Sequence, residues 1–165
     1  MRGFSARLRA ARPDPGEWTI GAALWGLAMA LCICFSLTLN QRLPEIHLPR
    51  LLLVYFAGGM LAWLITLPLI RFCALGRAPE TRFAASFLFL TIGTTAATAL
   101  IFALQYRLFY AQWHAPFGTR IWAFQFVFTS ASAAYQFAVL GLRLYLPLGL
   151  LFLTGASLLL AHRSR

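Results

Sequence analysis

Between Trp18 and Leu39 the chain runs for 22 residues without a charge. At about 1.5 Å per residue, a helix of that length crosses a hydrocarbon core of about 30 Å, and it has no polar face with which to sit on a soluble core. Leu51 to Ile70 and Phe83 to Tyr106 repeat the feature, and from Ile121 to Ala161 Arg143 is the sole charge. The expected fold class is therefore all-α, a polytopic helical membrane bundle of five hydrophobic helices near 18–39, 51–70, 83–106, 121–140 and 144–161. Together they form one transmembrane domain, 18–161, between an arginine-rich tail, 1–17, and a short tail, 162–165. Composition agrees, with 61% hydrophobic and 11% charged residues, where a soluble domain carries about a quarter charged. Ala28 and Ala30 resemble a signal-peptide cleavage pair, but apolar residues continue through Leu39, so the first run is read as an uncleaved span.

The last apolar stretch is too long for one span and admits two arrangements. In the five-span form, residues near 121–140 cross, Gly141 to Leu144 turn, and a fifth span follows with Pro147 in its first turn, where proline is tolerated. In the four-span form the helix after Ile121 lies in the outer interface, and about 139–161 make the last crossing. With the N-terminus inside, five spans place eight arginines inside and six outside; four spans place nine inside and four outside. The charge asymmetry of membrane proteins favours four. The five-span form is nonetheless expected, because it puts Arg143 at a turn and avoids a cost of about 2.5–3.5 kcal/mol for a charge within the membrane.

The net charge of +10 comes from fourteen arginines and no lysine. They stand singly or in small groups between apolar runs, the pattern of helix-flanking charge and not of a nucleic-acid surface. The expected setting is a bacterial inner membrane with the N-terminus cytoplasmic. Arg2, Arg7, Arg9 and Arg12, with Phe4, Leu8 and Ala11 at helical spacing, fit either a short helix on an anionic leaflet or a basic tail that sets orientation. Tyr106, Phe109, Tyr110, Trp113, Phe117 and Trp122 form an aromatic belt suited to the headgroup level. Cys32, Cys34 and Cys73 lack the spacing of a redox or metal pair and are read as packing residues.

Two polar stripes mark candidate sites. Gln125, Thr129, Ser132 and Gln136 recur at helical spacing after Ile121, and Arg143 continues the same face. Thr91, Thr94, Thr98 and Gln105 do the same in the third run, interleaved with Gly93, Ala96, Ala97 and Ala99. If the two helices are antiparallel neighbours, the stripes face one another, either hydrogen bonding across the interface or lining a polar path. Arg120 and Arg143 are the candidate contacts for an anion or lipid headgroup. Ala22, Gly26 and Ala30, and Ala57 to Gly59, are seams that permit close helix approach.

Catalytic constellations are harder to find. Glu45 and His47 share a loop and could exchange a proton, but an exposed pair of this kind is ordinarily just solvated. His114 stands alone in the belt. No acid falls within a run, no two histidines face each other as haem ligands, and no nucleotide loop, zinc spacing or nucleophile elbow occurs. No catalytic residue, cofactor or metal is expected. The expected partners are membrane lipids and another membrane protein or further copies of the chain. The expected function is that of a non-catalytic accessory or assembly subunit of a membrane complex. A small oligomeric transporter or flippase is the alternative, and a membrane enzyme using His47/Glu45 or His114 has the least support.

Overall fold

The computed structural model describes residue 7 and residues 9–40 and 47–163. The expected Arg2, Phe4 and Leu8 positions of the N-terminal tail, and Glu45 of the His47 loop, lie outside the described residues. Among the described residues five apolar helices carry the fold: α1 (Pro15–Leu39), α2 (Leu48–Ala74), α3 (Pro79–Tyr110), α4 (Arg120–Gln136) and α5 (Leu148–Arg163). Among the described residues there are no strands. Stretches within Pro15–Leu39, Leu48–Ala74, Pro79–Trp113 and Arg120–Tyr145 are long and apolar enough to cross a membrane, and α5 is shorter. This is a helical membrane protein.

Local chemistry explains where the helices start. Asp14 caps α1 by accepting from the Gly16 amide at 3.0 Å, Pro15 occupies the first turn, and Glu17 adds a negative charge near the positive end of the dipole. Proline also opens α2 and α3, at Pro49 and Pro79. Between them Gly76 turns the chain with φ +70°, a backbone conformation that glycine adopts without penalty. Thr119 caps α4, its hydroxyl accepting from the Trp122 amide at 3.1 Å.

The first three helices interlock through small residues. A Cβ on Gly26 would lie 2.6 Å from the Phe56 carbonyl oxygen, and one on Gly59 would lie 3.0 Å from the Gly26 Cα. So α1 and α2 meet backbone to backbone at the expected seams. On the other side of α2, a Cβ on Gly58 would come within 2.7 Å of the Thr98 Cα, which fixes α2 against α3 at equally short range. Lipid tails give no hydrophobic drive to helix association, so such close packing and interhelical hydrogen bonds must hold the bundle.

Pro68 in α2 shows how a hydrogen bond substitutes for a missing one. It has no amide hydrogen, so the Leu64 carbonyl one turn earlier has no helical donor. The Trp18 indole of α1 donates to that carbonyl at 2.8 Å. Beside it the Trp63 indole donates to the Glu17 carbonyl at 3.3 Å, and Arg71 in the last turn of α2 pairs with the Glu17 carboxylate. Together these contacts clamp one end of the α1–α2 pair, called here the basic end.

The last third stays beside one end of α3 before it descends. Gln136 at the end of α4 reaches Tyr106, and Phe137 stacks near Phe102, so α4 stays beside the far end of α3, the aromatic end. The descent is made by the following residues: Tyr145 bonds Thr98, Gly149 adjoins Cys32, and Arg163 lies by Gly16 and Glu17. α5 thus ends where α1 begins. Arg143 sits near Asn40 and Leu51 at the aromatic end, in the 3-10 turn. The physical reason is that α4 is held at the outset by α3's last turns and the loop, leaving the next segment to fill the space beside α1 and α3.

Candidate functional site: the cavity at the helix break

Pro147 dictates a break in the final descent. Its ring disfavours helical backbone at Leu146, which is extended (φ −87°, ψ 146°), and it offers no amide hydrogen of its own. The chain from α4 therefore changes step twice. A π-helical turn, Phe137–Gly141, is marked by the Leu142 amide bonding the Phe137 carbonyl, and a 3-10 turn, Leu142–Tyr145, follows. Turns of the π type occur often at functional sites. The Gly141 carbonyl, at the change of step, accepts from the Tyr55 hydroxyl at 2.8 Å. A Cβ at Gly141 would lie 2.9 Å from that hydroxyl oxygen and 2.5 Å from the Phe137 ring, so glycine is needed for this approach.

Beside the break lies a cavity of about 450 Å³. Its polar lining is Ser36 and Asn40 from α1, Tyr55 from α2, Gln136 from α4 and Arg143 from the 3-10 turn. Leu37, Leu51, Phe102 and Leu144 are among its apolar walls. Arg143 is exposed, Ser36 and Tyr55 are buried, and Gln136 is half-buried. The Tyr55 ring packs edge-on against Tyr145 at 5.1 Å and tilts against Phe137 at 6.1 Å, which holds the phenol in place.

The expected pairing of the two polar stripes does not form. Thr94 accepts from the Trp25 indole of α1 at 2.9 Å, and Thr98 accepts from the Tyr145 hydroxyl at 2.8 Å. Thr91 bonds back to the Phe87 carbonyl, and Gln105 is exposed. On α4, Gln125 accepts from the Ala115 amide at 2.8 Å, Thr129 bonds back to the Gln125 carbonyl and lies 3.4 Å from His114, and Ser132 is exposed. Of this stripe Gln136 is the member that hydrogen bonds a side chain of α3, its amide donating to the Tyr106 hydroxyl at 3.5 Å. One stripe thus binds α3 to α1 and to the 3-10 turn, while the other ties α4 to the loop before it. Helical spacing sets which residues share a face, and the neighbour that face meets depends on the path of the whole chain.

The other sequence candidates separate in the same way. Arg120 is exposed at the start of α4, away from the cavity, whereas Arg143 lines it. Arg107 is engaged elsewhere, 4.0 Å over the Phe126 ring and 5.6 Å over Trp122, in cation–π geometry. Cys32 is buried and Cys73 exposed, and among the described residues no three His, Cys, Asp or Glu side chains gather as metal ligands. Ser36, Asn40 and Tyr55 were not foreseen; the pairing of Gly141 with Pro147 six residues later is the signal that marks the break, but nothing local points to its neighbours. Comparison with protein-family models, with curated proteins and with solved structures finds no match.

Proposed function

We propose that the protein is a non-catalytic membrane subunit that docks on a larger assembly through α4. The observation that supports this reading is the poor burial of α4: Ala133 is its one buried residue. Ile121, Phe124, Val127, Phe128 and Tyr135 are all more than half exposed. The helix packs beside Tyr106 and Arg107 of the aromatic belt, whose composition suits the headgroup level, where a broad apolar surface gains less from lipid than it would deeper in the membrane. An apolar patch in such a place fits a protein partner. Tagged protein should co-purify with a fixed membrane partner, and the double variant V127S/F128S should lose it without losing fold. A homogeneous homo-oligomer with no partner would defeat the proposal.

The basic end is proposed to face the cytoplasm. Among the described residues Arg7, Arg9, Arg12, Arg71, Arg77, Arg82 and Arg163 gather there, against Arg50, Arg107, Arg120 and Arg143 at the other, which accords with the positive-inside bias. In a cysteine-free background, cysteines placed at Arg77 and Arg163 should label from the same side.

A second reading, a small oligomeric transporter or flippase, draws on the cavity lined by Gln136 and Arg143. It is the weaker of the two, because the two stripes have different neighbours and do not form one polar path. Uptake into liposomes that Gln136→Leu leaves unchanged would remove it.

A further inference from the structure

The cavity at the helix break combines a donor-rich rim with a hydrocarbon wall, and it stands independently of the docking role of α4. Five side chains on its lining carry N–H or O–H groups: Ser36, Asn40, Tyr55, Gln136 and Arg143. The Asn40 amide spends one hydrogen on the Ser36 carbonyl at 2.7 Å, and Gln136 directs one toward Tyr106. Each amide nitrogen keeps a second hydrogen, and Arg143 adds a planar fork of five. The Tyr55 hydroxyl hydrogen is already committed to Gly141.

Charge points the same way. Among the described residues the carboxylates, Asp14, Glu17 and Glu80, cap or flank helices at the basic end, leaving an arginine as the one charged group on the cavity lining. Tyr106, which accepts from Gln136 on the rim, packs at 4.5 Å against Tyr110, and aromatic side chains of this kind are enriched at headgroup level. Below the rim the walls are Leu37, Leu51 and Phe102. An occupant matched to this lining has an anionic, acceptor-rich head and an apolar continuation.

The geometry points to a binding site for one anionic phospholipid, its phosphodiester held by Arg143 with Asn40, Ser36 and Gln136, and the start of its acyl region against Leu37 and Phe102. Arginine suits this role because its fork matches phosphate oxygens in pairs. The Tyr55–Gly141 bond fixes α2 to the π/3-10 break, which continues directly from Gln136, and the Gly26–Gly59 seam fixes α1 to α2, so the site is a preformed recess and not a patch of general surface charge.

The test uses the full chain in neutral detergent, titrated with phosphatidylglycerol, with phosphatidylcholine, or with inorganic phosphate, and read by native mass spectrometry and thermal shift. One phosphatidylglycerol should be retained per chain, about tenfold more tightly than phosphatidylcholine. Arg143→Gln should bring the two lipids level, Arg143→Lys should keep part of the preference, and Arg120→Gln, away from the cavity, should change nothing. Leu140→Trp, which narrows the cavity from its apolar side, should weaken both lipids while the protein stays folded. Inorganic phosphate that saturates the protein and displaces the lipid at similar concentration would assign the site to a free anion and overturn the lipid. Equal loss in Arg143→Gln and Arg120→Gln would reduce the effect to surface charge and overturn the site itself.

Discussion

α2 buries ten of its twenty-seven residues and α1 eight of twenty-five, whereas α4 buries one of seventeen. α4 belongs to a less apolar stretch, with a mean hydropathy of 1.2 against 2.1 and 2.0 for those of α1 and α2. Side-chain size at the contact also separates them. α1 and α2 place Gly26, Gly58 and Gly59 where another backbone must come close, and their tryptophans donate to carbonyls across the gap. α4 brings Phe124, Phe126 and Phe128 within five residues, and bulky rings hold helices apart. Its attachments are a threonine cap, Gln125 on the loop, Gln136 on Tyr106 and two rings beneath Arg107. In a membrane, where apolar area alone does not drive helices together, small residues make a core and large ones leave a surface.

The sharpest way to break that contrast is to enlarge the seam. Gly58→Val drives a branched side chain into the Thr98 backbone and should destabilise the bundle by about 3 kcal/mol, seen as a large fall in the denaturant midpoint in detergent. A midpoint within error of the parent would mean that α2 and α3 do not meet at Gly58. A smaller effect, about 1 kcal/mol, is expected from Trp18→Phe, which removes the donor to Leu64. Because Pro68 creates the need for that donor, Pro68→Ala should return an amide hydrogen to the Leu64 carbonyl and make Trp18→Phe nearly silent; additive losses in the double mutant would refute the substitution of one bond for the other. The least effect, within about 0.5 kcal/mol, is expected from V127S/F128S on α4. A loss as large as that of Gly58→Val would place α4 in the core and erase the comparison.

Much of this was legible along the chain. Charge-free runs specified five apolar helices, Pro and Gly marked most of their ends, and Gly26 and Gly58–Gly59 announced the seams because no other residue permits backbone contact. The cavity was half legible. Gln136 and Arg143 stood out as polar residues in apolar surroundings, but Ser36, Asn40 and Tyr55 come from helices about a hundred residues earlier, and no periodicity relates them to the break. The stripes illustrate the limit most clearly: Thr94 and Thr98 do bond across helices, as their spacing suggested, but to Trp25 and Tyr145 and not to α4.

The sequence by itself determined that this chain enters a membrane as a helical bundle and which faces could pack closely. Those properties depend on local length, charge and side-chain size. Only the tertiary structure decided that α4 remains at the aromatic end, that α5 returns to the basic end beside Glu17, and that Arg143 opens onto a cavity. A helix of α4's composition is compatible with crossing or with lying at an end, and the choice rests on which long-range contacts, Tyr55 with Gly141 and Thr98 with Tyr145, take hold of the residues that follow it.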